Sequence, residues 1–285
     1  MAMPTIEEKK FNPIIIVYIL IVLICISGIG YIIYDQYYKD EKIGVILGIT
    51  NEKTDEEIDA LKEQFLNIFT NDITTIKEYS GNIKKLTDNG DIIIIGEEVK
   101  EQTENYTLNV NLPYFNINSS IATKNNVEIS SIFKDKCDSV KKSVVTDLNI
   151  IYNVKFKAYI YDNILSLVVL SELKEGDNNQ RTIIQTYNYD LTNNKKINIE
   201  DLIKLKEIDE NTANYAIQEE IKASQEQNIK LQELGYNAKV RDYKDDMYKI
   251  NKADEFFIGE KGYLYVIYAY GNAEHTNEMN VVIFK

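Results

Sequence analysis

The residues that could support acid–base or nucleophilic catalysis are few in this chain. His275 is its only histidine, and its two cysteines are Cys25 and Cys137. A serine or cysteine triad needs an imidazole close to its nucleophile, so any such site would depend on His275. His275 lies in a polar stretch, residues 272–280, that is typical of a hairpin loop. We therefore expect no catalytic residues and interpret the chain as a protein that is not an enzyme.

Metal and cofactor sites are no better supported by the sequence. A structural zinc ion needs four N or S ligands and a catalytic one needs three, which one histidine and Cys137 cannot supply. Asp88, Asn89 and Asp91 resemble the opening of a calcium-binding loop, but the later spacing and the closing glutamate are missing. No glycine-rich phosphate-binding pattern occurs in the polar part of the sequence. We expect no metal and no cofactor.

The longest apolar stretch runs from Ile14 to Ile33 and contains no charged residue. As a helix with a rise of about 1.5 Å per residue it would reach about 30 Å, the thickness of the hydrocarbon core of a bilayer. An isolated span must satisfy its backbone hydrogen bonds internally, and only a helix does so. The sequence thus predicts a transmembrane helix over residues 14–34, preceded by a short cytoplasmic tail, residues 1–13.

The charges beside this stretch indicate its orientation. Lys9 and Lys10 precede it, whereas a mixed cluster without cationic excess follows it. Positively charged residues favour the cytoplasmic side, so residues from 35 onward are expected outside the cytoplasm. A cleaved signal peptide is the alternative, but the stretch is long for one and no typical cleavage site follows it. The expected location is the cell membrane, with one span and an extracytoplasmic carboxy-terminal region.

The chain carries a formal net charge of −13, and this excess belongs to the region after the apolar stretch. Such a surface repels nucleic acid and attracts cationic partners by electrostatic steering. The alternative explanation is that negative charge keeps an exported domain soluble. Cys25 and Cys137 cannot pair within one chain, because the first lies in the anchor. Cys137 is therefore expected to be a small buried residue.

The region after the anchor mixes strand and helix patterns. It predicts an α+β fold of mostly antiparallel sheet with packed helices. Strands are expected over residues 92–95, 105–112, 154–161, 164–170, 182–191, 255–258, 263–270 and 279–284. Helices are expected over residues 54–70, 126–147, 198–205 and 209–235, with Gly235 at the end of the last one. Asp162-Asn163 is typical of a two-residue hairpin turn, and Pro113 is expected to end its strand.

One run of this region resembles the signature of a known family. It reads Tyr187-Asn188-Tyr189-Asp190-Leu191-Thr192-Asn193-Asn194-Lys195-Lys196-Ile197-Asn198-Ile199-Glu200-Asp201-Leu202-Ile203. It is similar to the pattern N-x-D-L-x-T-G-K-x-(L/I)-x-(L/I)-x-D-L-(F/I) of the extracytoplasmic domain shared by the anti-sigma factor RsiV and the non-catalytic half of the peptidoglycan deacetylase PdaC. Asn194 replaces the usual glycine, and asparagine also tolerates a positive φ.

The resemblance implies a domain organisation. Residues 101–285 correspond to the RsiV/PdaC-like ectodomain, and residues 35–100 form a membrane-proximal α/β segment. The short amino-terminal tail leaves no room for an inhibitory domain, and no deacetylase domain follows. Sequestration of a sigma factor and deacetylation are therefore not implied.

Three functional hypotheses follow from the resemblance and the composition. The leading one is an anchored binding or sensing protein of the bacterial cell envelope, with a cationic protein such as lysozyme or a cell-wall component as its ligand. The second is an accessory subunit of a membrane or cell-wall complex, and the third is a degenerate cell-wall enzyme. Aromatic side chains suit interface cores, so the candidate partner-binding residues are Tyr159, Tyr161, Tyr187, Tyr263, Tyr265 and Tyr268.

Overall fold

A computed structural model describes residues 56–63, 65, 67, 79, 81–88, 90–143, 149–178, 180–236, 238, 240–269 and 279–285. The predicted anchor, residues 14–34, and His275 lie outside this set. Within it, no helix is both long enough and apolar enough to cross a membrane. The chain divides into two units at residue 60. Every element below belongs to Ala60–Lys285, apart from the start of the first helix, α1 (Glu56–Glu63).

Six strands form the larger sheet in sequence order. They are β1 (Ile93–Gln102), β2 (Tyr106–Phe115), β3 (Ile150–Tyr161), β4 (Ile164–Glu175), β5 (Arg181–Asp190) and β6 (Lys195–Lys196). Neighbouring strands are antiparallel, except that β2 and β3 are parallel. Parallel neighbours need a crossover connection. It contains α2 (Ser120–Ile129), a π-helical turn (Ser130–Lys134) and α3 (Asp135–Lys142).

Three further strands form a second, antiparallel sheet. These are β7 (Glu255–Ile258), β8 (Leu264–Ala269) and β9 (Met279–Phe284). Between the two sheets in sequence lie α4 (Ile199–Leu205), α5 (Glu210–Glu233) and two 3-10 turns, Asp246–Tyr248 and Ile250–Lys252. The prediction of an α+β fold with mostly antiparallel sheet is confirmed for the described residues.

Two hydrophobic cores hold these elements together. The first joins the larger sheet to α2 and α3, and includes Phe115, Phe133 and Cys137. The second joins the smaller sheet to α4 and α5, and includes Leu202 and Ile217. Cys137 is buried, as predicted. Strand β4 is buried continuously from its first residue to Ser171, because elements cover both of its faces.

A network of buried polar side chains connects the two sheets. Ser166 in β4 donates to the Oδ1 atom of Asn188 in β5 at 2.6 Å. Asn188 donates to the carbonyl of Phe256 in β7 at 2.7 Å, and the N–H of Ile258 donates to Ser166 Oγ at 3.1 Å. These bonds satisfy side chains that are less than a tenth exposed. Asn188, which belongs to the run that resembles the family signature, therefore has a structural role at the junction of the two sheets.

The prediction that Pro113 ends its strand is wrong. Strand β2 continues to Phe115, and Pro113 lies opposite Ile95 in β1. The register shifts directly after this pair, between Ile95 and Glu97. Proline cannot donate a ladder hydrogen bond, and a bulge is one of the few places in a sheet that accept it.

The helix predicted over residues 126–147 begins earlier than expected. Ser119 is the N-cap of α2, and its hydroxyl accepts from the N–H of Ala122 at 3.1 Å. The start of the helix was not predicted, because this segment contains asparagines and asparagine has a low helix propensity. Asn126 is stabilised by tertiary contacts instead. Its side chain accepts from the N–H of Phe115 at 2.7 Å and donates to the carbonyl of Phe115 at 3.0 Å.

Two predicted chain reversals are confirmed. Asp162 and Asn163 have φ values of 46° and 63°, as a type I′ turn between β3 and β4 requires. Helix α5 ends in a Schellman motif around Gly235, whose φ is 87°. The N–H of Tyr236 donates to the carbonyl of Leu231 at 3.0 Å, and that of Gly235 to the carbonyl of Gln232 at 2.9 Å.

Candidate functional site

A pocket of 520 Å³ lies where the β3–β4 turn, the β5–β6 turn and α4 come together. This volume falls within the range of about 300–1,000 Å³ that is usual for small-molecule sites. The floor contains Ile164, Ile197 and Leu202, which belong to the second core. The charged residues that line it are Asp162, Asp190, Lys195, Asp201 and Lys204. The pocket therefore combines an apolar floor with carboxylate and ammonium groups.

Hydrogen bonds fasten the two turns to each other. The N–H of Leu191, after β5, donates to the carbonyl of Asn163 in the β3–β4 turn at 2.9 Å. The hydroxyl of Tyr79 donates to Asn163 Oδ1 at 3.2 Å. The first bond joins the two turns, and the second ties the β3–β4 turn to Tyr79.

Asp190 organises the β5–β6 turn through its carboxylate. Oδ1 accepts from the N–H groups of Thr192 and Asn193, both at 2.9 Å, and Oδ2 accepts from Asn193 Nδ2 at 2.7 Å. Burial alone would raise the pKa of Asp190. These hydrogen bonds and the charge of Lys195 outweigh that effect and lower the pKa below its ordinary value. Asp190 is therefore ionised at neutral pH, but its charge is already engaged by its own turn.

Asn194 closes the same turn with a φ of 53°. Its Oδ1 atom accepts from the hydroxyl of Tyr189 at 3.1 Å. This confirms that asparagine takes the left-handed conformation at the position where the family pattern has glycine.

We predict that Asn194→Ala is less stable than Asn194→Gly by about 1–2 kcal/mol, the cost of the left-handed conformation for an ordinary residue. Both variants lose the bond to Tyr189, so the difference between them isolates backbone strain. Urea unfolding followed by circular dichroism measures both free energies. Equal losses in the two variants would contradict a strained backbone at this position.

The third wall of the pocket is α4, which begins with a capping box. Asn198 Oδ1 accepts from the N–H of Asp201 at 2.8 Å, and Asp201 Oδ2 accepts from the N–H of Asn198 at 3.2 Å. One oxygen of Asp201 is thus used to start the helix. Lys204 lies one turn further along and is exposed.

Three of the charged pocket side chains remain uncommitted. Asp162, Lys195 and Lys204 are exposed, and none has a side-chain hydrogen bond or ion pair within the described part of the chain. The geometry thus offers a ligand one free carboxylate on the β3–β4 turn and free ammonium groups on the other two walls. The arrangement can hold a ligand by ion pairing and by apolar contact.

Three of the six candidate tyrosines are buried. Tyr187, Tyr265 and Tyr268 are each no more than 6% exposed. The ring of Tyr265 stacks on Phe257 at 4.5 Å, and the hydroxyl of Tyr268 donates to the carbonyl of Lys249 at 3.1 Å. Burial raises the pKa of the Tyr187 and Tyr268 phenols. These contacts are those of core residues.

The other three tyrosines are half-buried. The ring of Tyr159 stacks on Phe257 at 5.6 Å. Lys206 Nζ lies 5.6 Å from the ring centroid of Tyr161, and Lys285 Nζ lies 5.8 Å from that of Tyr263. Such distances allow cation–π attraction. The partner-binding role of the six tyrosines stays a prediction.

The sequence predicted the segments of the pocket but not the pocket. It predicted the Asp162-Asn163 turn, the turn after β5 and the helix at residues 198–205. It did not predict that these segments adjoin, because that depends on the register of three strands. The alternation of apolar and polar residues in β3, β4 and β5 was the sequence signal from which this register could have been predicted.

Comparisons with known proteins give only distant matches. No protein-family model and no curated protein matches the chain. Its structural neighbours are DUF3298 family proteins. One, from Pseudomonas aeruginosa, is 11% identical with a TM-score of 0.36, over 65% of this chain and 83% of that one. Another, from Bacteroides fragilis, is 13% identical with a TM-score of 0.33, over 62% of this chain and 80% of that one.

Proposed function

We propose that this chain is a membrane-anchored, extracytoplasmic binding protein of the bacterial cell envelope. In this proposal residues 14–34 form the anchor, and the pocket between the β3–β4 turn, the β5–β6 turn and α4 is the binding site. The ligand is a cationic protein such as lysozyme, or a component of the cell wall. The observation that carries the proposal is the pocket itself, with its apolar floor and uncommitted charged groups.

The free carboxylate of Asp162 gives the pocket a place for a cationic group of the ligand. Three carboxylates, those of Asp162, Asp190 and Asp201, line it together with two lysines. The formal net charge of −13 for the whole chain adds long-range attraction for a basic protein. Exposed charges of this kind mainly raise the association rate and are screened by salt over about 8 Å at physiological ionic strength.

The burial of Cys137 argues against its use as a nucleophile. Its side chain is 2% exposed, and burial raises the pKa of its thiol. A catalytic cysteine needs the thiolate form and access to substrate. Among the described residues, no group of three or more His, Cys, Asp or Glu side chains is placed to hold a metal ion.

We predict that Asp162→Asn weakens lysozyme binding by roughly threefold to tenfold, the effect of losing one charge pair at a partly exposed site. Asparagine tolerates the φ of 46° at this turn, so the substitution removes charge without straining the backbone. Surface plasmon resonance on the immobilised full-length chain measures the affinity, with cytochrome c as an equally basic control protein.

The matched control variant is Asp177→Asn, which removes an exposed charge from the β4–β5 turn. Asp177 does not line the pocket, so this variant should bind lysozyme as the parent chain does. Equal weakening in both variants would mean that only net charge matters. Binding of lysozyme no stronger than that of cytochrome c would contradict the proposed ligand and favour an accessory subunit of a membrane or cell-wall complex.

A further inference from the structure

We propose that the pocket recognises a short zwitterionic peptide segment. Its ammonium group would lie at Asp162, its carboxylate at Lys204, and an aliphatic side chain on the apolar floor. This inference rests on the proposed binding function and specifies the chemistry of the ligand group that enters the pocket.

The free charges of the pocket are divided between its walls. The free carboxylate belongs to Asp162 on the β3–β4 turn, whereas Lys204 belongs to α4. They come from separate elements and form no ion pair with each other. A ligand that carries both charges at a separation matching these two walls can pair with each of them.

The other two carboxylates of the pocket already accept hydrogen bonds. The carboxylate of Asp190 accepts three hydrogen bonds from its own turn, and the positive charge of Lys195 helps to lower its pKa. Asp201 accepts a hydrogen bond from the first residue of its capping box. Asp162 is consequently the free carboxylate of the pocket, and Lys204 is the free lysine whose charge does not act on Asp190.

The pocket also has an apolar part that a ligand can cover. Leu202 is fully buried in the floor, whereas Leu205 is 54% exposed at the pocket lining. An exposed leucine beside free charged groups gains from being covered by an aliphatic group, because apolar surface then leaves water. A peptide segment supplies such a group between its two charges, which a simple salt ion does not.

Ligands of a single charge sign fit the walls less well. A purely anionic ligand would meet Lys204 but also the carboxylates of Asp162, Asp190 and Asp201. A purely cationic ligand would pair with Asp162 and leave Lys204 facing a like charge. Unpaired and like charges at a binding site act as selection against the wrong partner.

The test uses the full-length chain in a neutral detergent and the tripeptide Ala-Leu-Ala. Four forms are titrated by calorimetry: free at both ends, acetylated at the amino end, amidated at the carboxyl end, and blocked at both ends. The variants are Asp162→Asn and Lys204→Gln. The matched control is Lys196→Gln, which removes an exposed lysine that does not line the pocket.

In the parent chain, blocking either end should weaken binding at least fivefold. Asp162→Asn should bind the free and acetylated forms equally, and Lys204→Gln the free and amidated forms equally. Lys196→Gln should behave as the parent chain. The inference is overturned if the amidated, purely cationic form binds the parent chain as tightly as the free form. It is also overturned if both variants discriminate among the four forms as the parent chain does.

Lysozyme binding, measured on the same samples, separates the inference from the proposed function. Lysozyme binding without any discrimination among the tripeptides would leave the binding function standing and reject the zwitterionic ligand. If the folded parent chain neither binds lysozyme nor discriminates among the tripeptides, the binding function and the zwitterionic ligand are both rejected. Circular dichroism of each variant establishes that it is folded.

Discussion

Replacement of Glu255 by glutamine is expected to raise the free energy of unfolding at pH 8 by roughly 3 kcal/mol. The same variant should lose most of the pH dependence of stability between pH 5 and pH 8. The cause lies at the junction of the two sheets. Oε2 of Glu255, at the start of β7, accepts from the N–H of Thr186 at 2.6 Å and from its hydroxyl at 2.9 Å.

Burial raises the pKa of Glu255 to about 7, against an ordinary value of 4.5. The hydrogen bonds from Thr186 oppose this shift, and the charges of Asp254 and Glu128 add to it. At pH values between 4.5 and about 7 the folded state binds more protons than the unfolded state. The contribution of the protonated Glu255 carboxyl to the free energy of unfolding is therefore fully present below pH 4.5 and is lost as the pH rises through about 7.

Glutamine retains the acceptor oxygen for Thr186 and stays neutral, so its unfolding free energy should not fall over this pH range. Urea unfolding of the full-length chain at pH 5, 6, 7 and 8 provides the measurement. Glu260→Gln, at an exposed position just after β7, is the control and should keep the slope of the parent chain. A slope that persists in the Glu255 variant would show that another group titrates at the junction.

Phe257→Ala should lower the free energy of unfolding by about 3–5 kcal/mol, the usual cost of removing a buried phenylalanine. Phe257 is 1% exposed and lies between two other rings. It stacks on Tyr265 of β8 at 4.5 Å and on Tyr159 of β3 at 5.6 Å. Its ring therefore packs one sheet against the other. Alanine would leave a cavity between aromatic rings that cannot close around it.

Val127→Ala is the control for this substitution, because Val127 is 64% exposed on α2. It should change the free energy of unfolding by no more than about 0.5 kcal/mol. Denaturant midpoints of both variants, measured at one pH, give the comparison. A loss below about 1 kcal/mol for Phe257→Ala would mean that the ring stack contributes little to the packing of the sheets.

The local elements of this fold were predictable from the sequence. The hairpin of β3 and β4 follows from alternating apolar residues around Asp162-Asn163, whose residue types permit positive φ. The start of α4 follows from its capping box, and the end of α5 from Gly235. In each case a few neighbouring residues decide the backbone conformation, so a single sequence is enough.

The long-range arrangement was not predictable in the same way. The parallel pairing of β2 with β3 depends on a helical crossover whose start was misplaced by the asparagines of α2. The strand end at Pro113 was misplaced, because the bulge that accepts the proline lies in β1, of which only residues 92–95 were predicted as strand. The pocket depends on three strands reaching one edge together. The arrangement of strands around the pocket depends on how segments pair with one another, and the sequence of one segment alone does not determine it.

The residues that line the pocket all lie between Asp162 and Leu205. Contacts between segments so close in sequence close short loops, which costs little chain entropy. During synthesis from the amino terminus, the walls of the pocket can therefore assemble once the chain has been made as far as α4. The smaller sheet that completes the core beneath the floor is made later. The pocket is thus a sequence-local unit within a fold whose two sheets are joined by contacts that are distant in sequence, such as the bond from Asn188 to the carbonyl of Phe256.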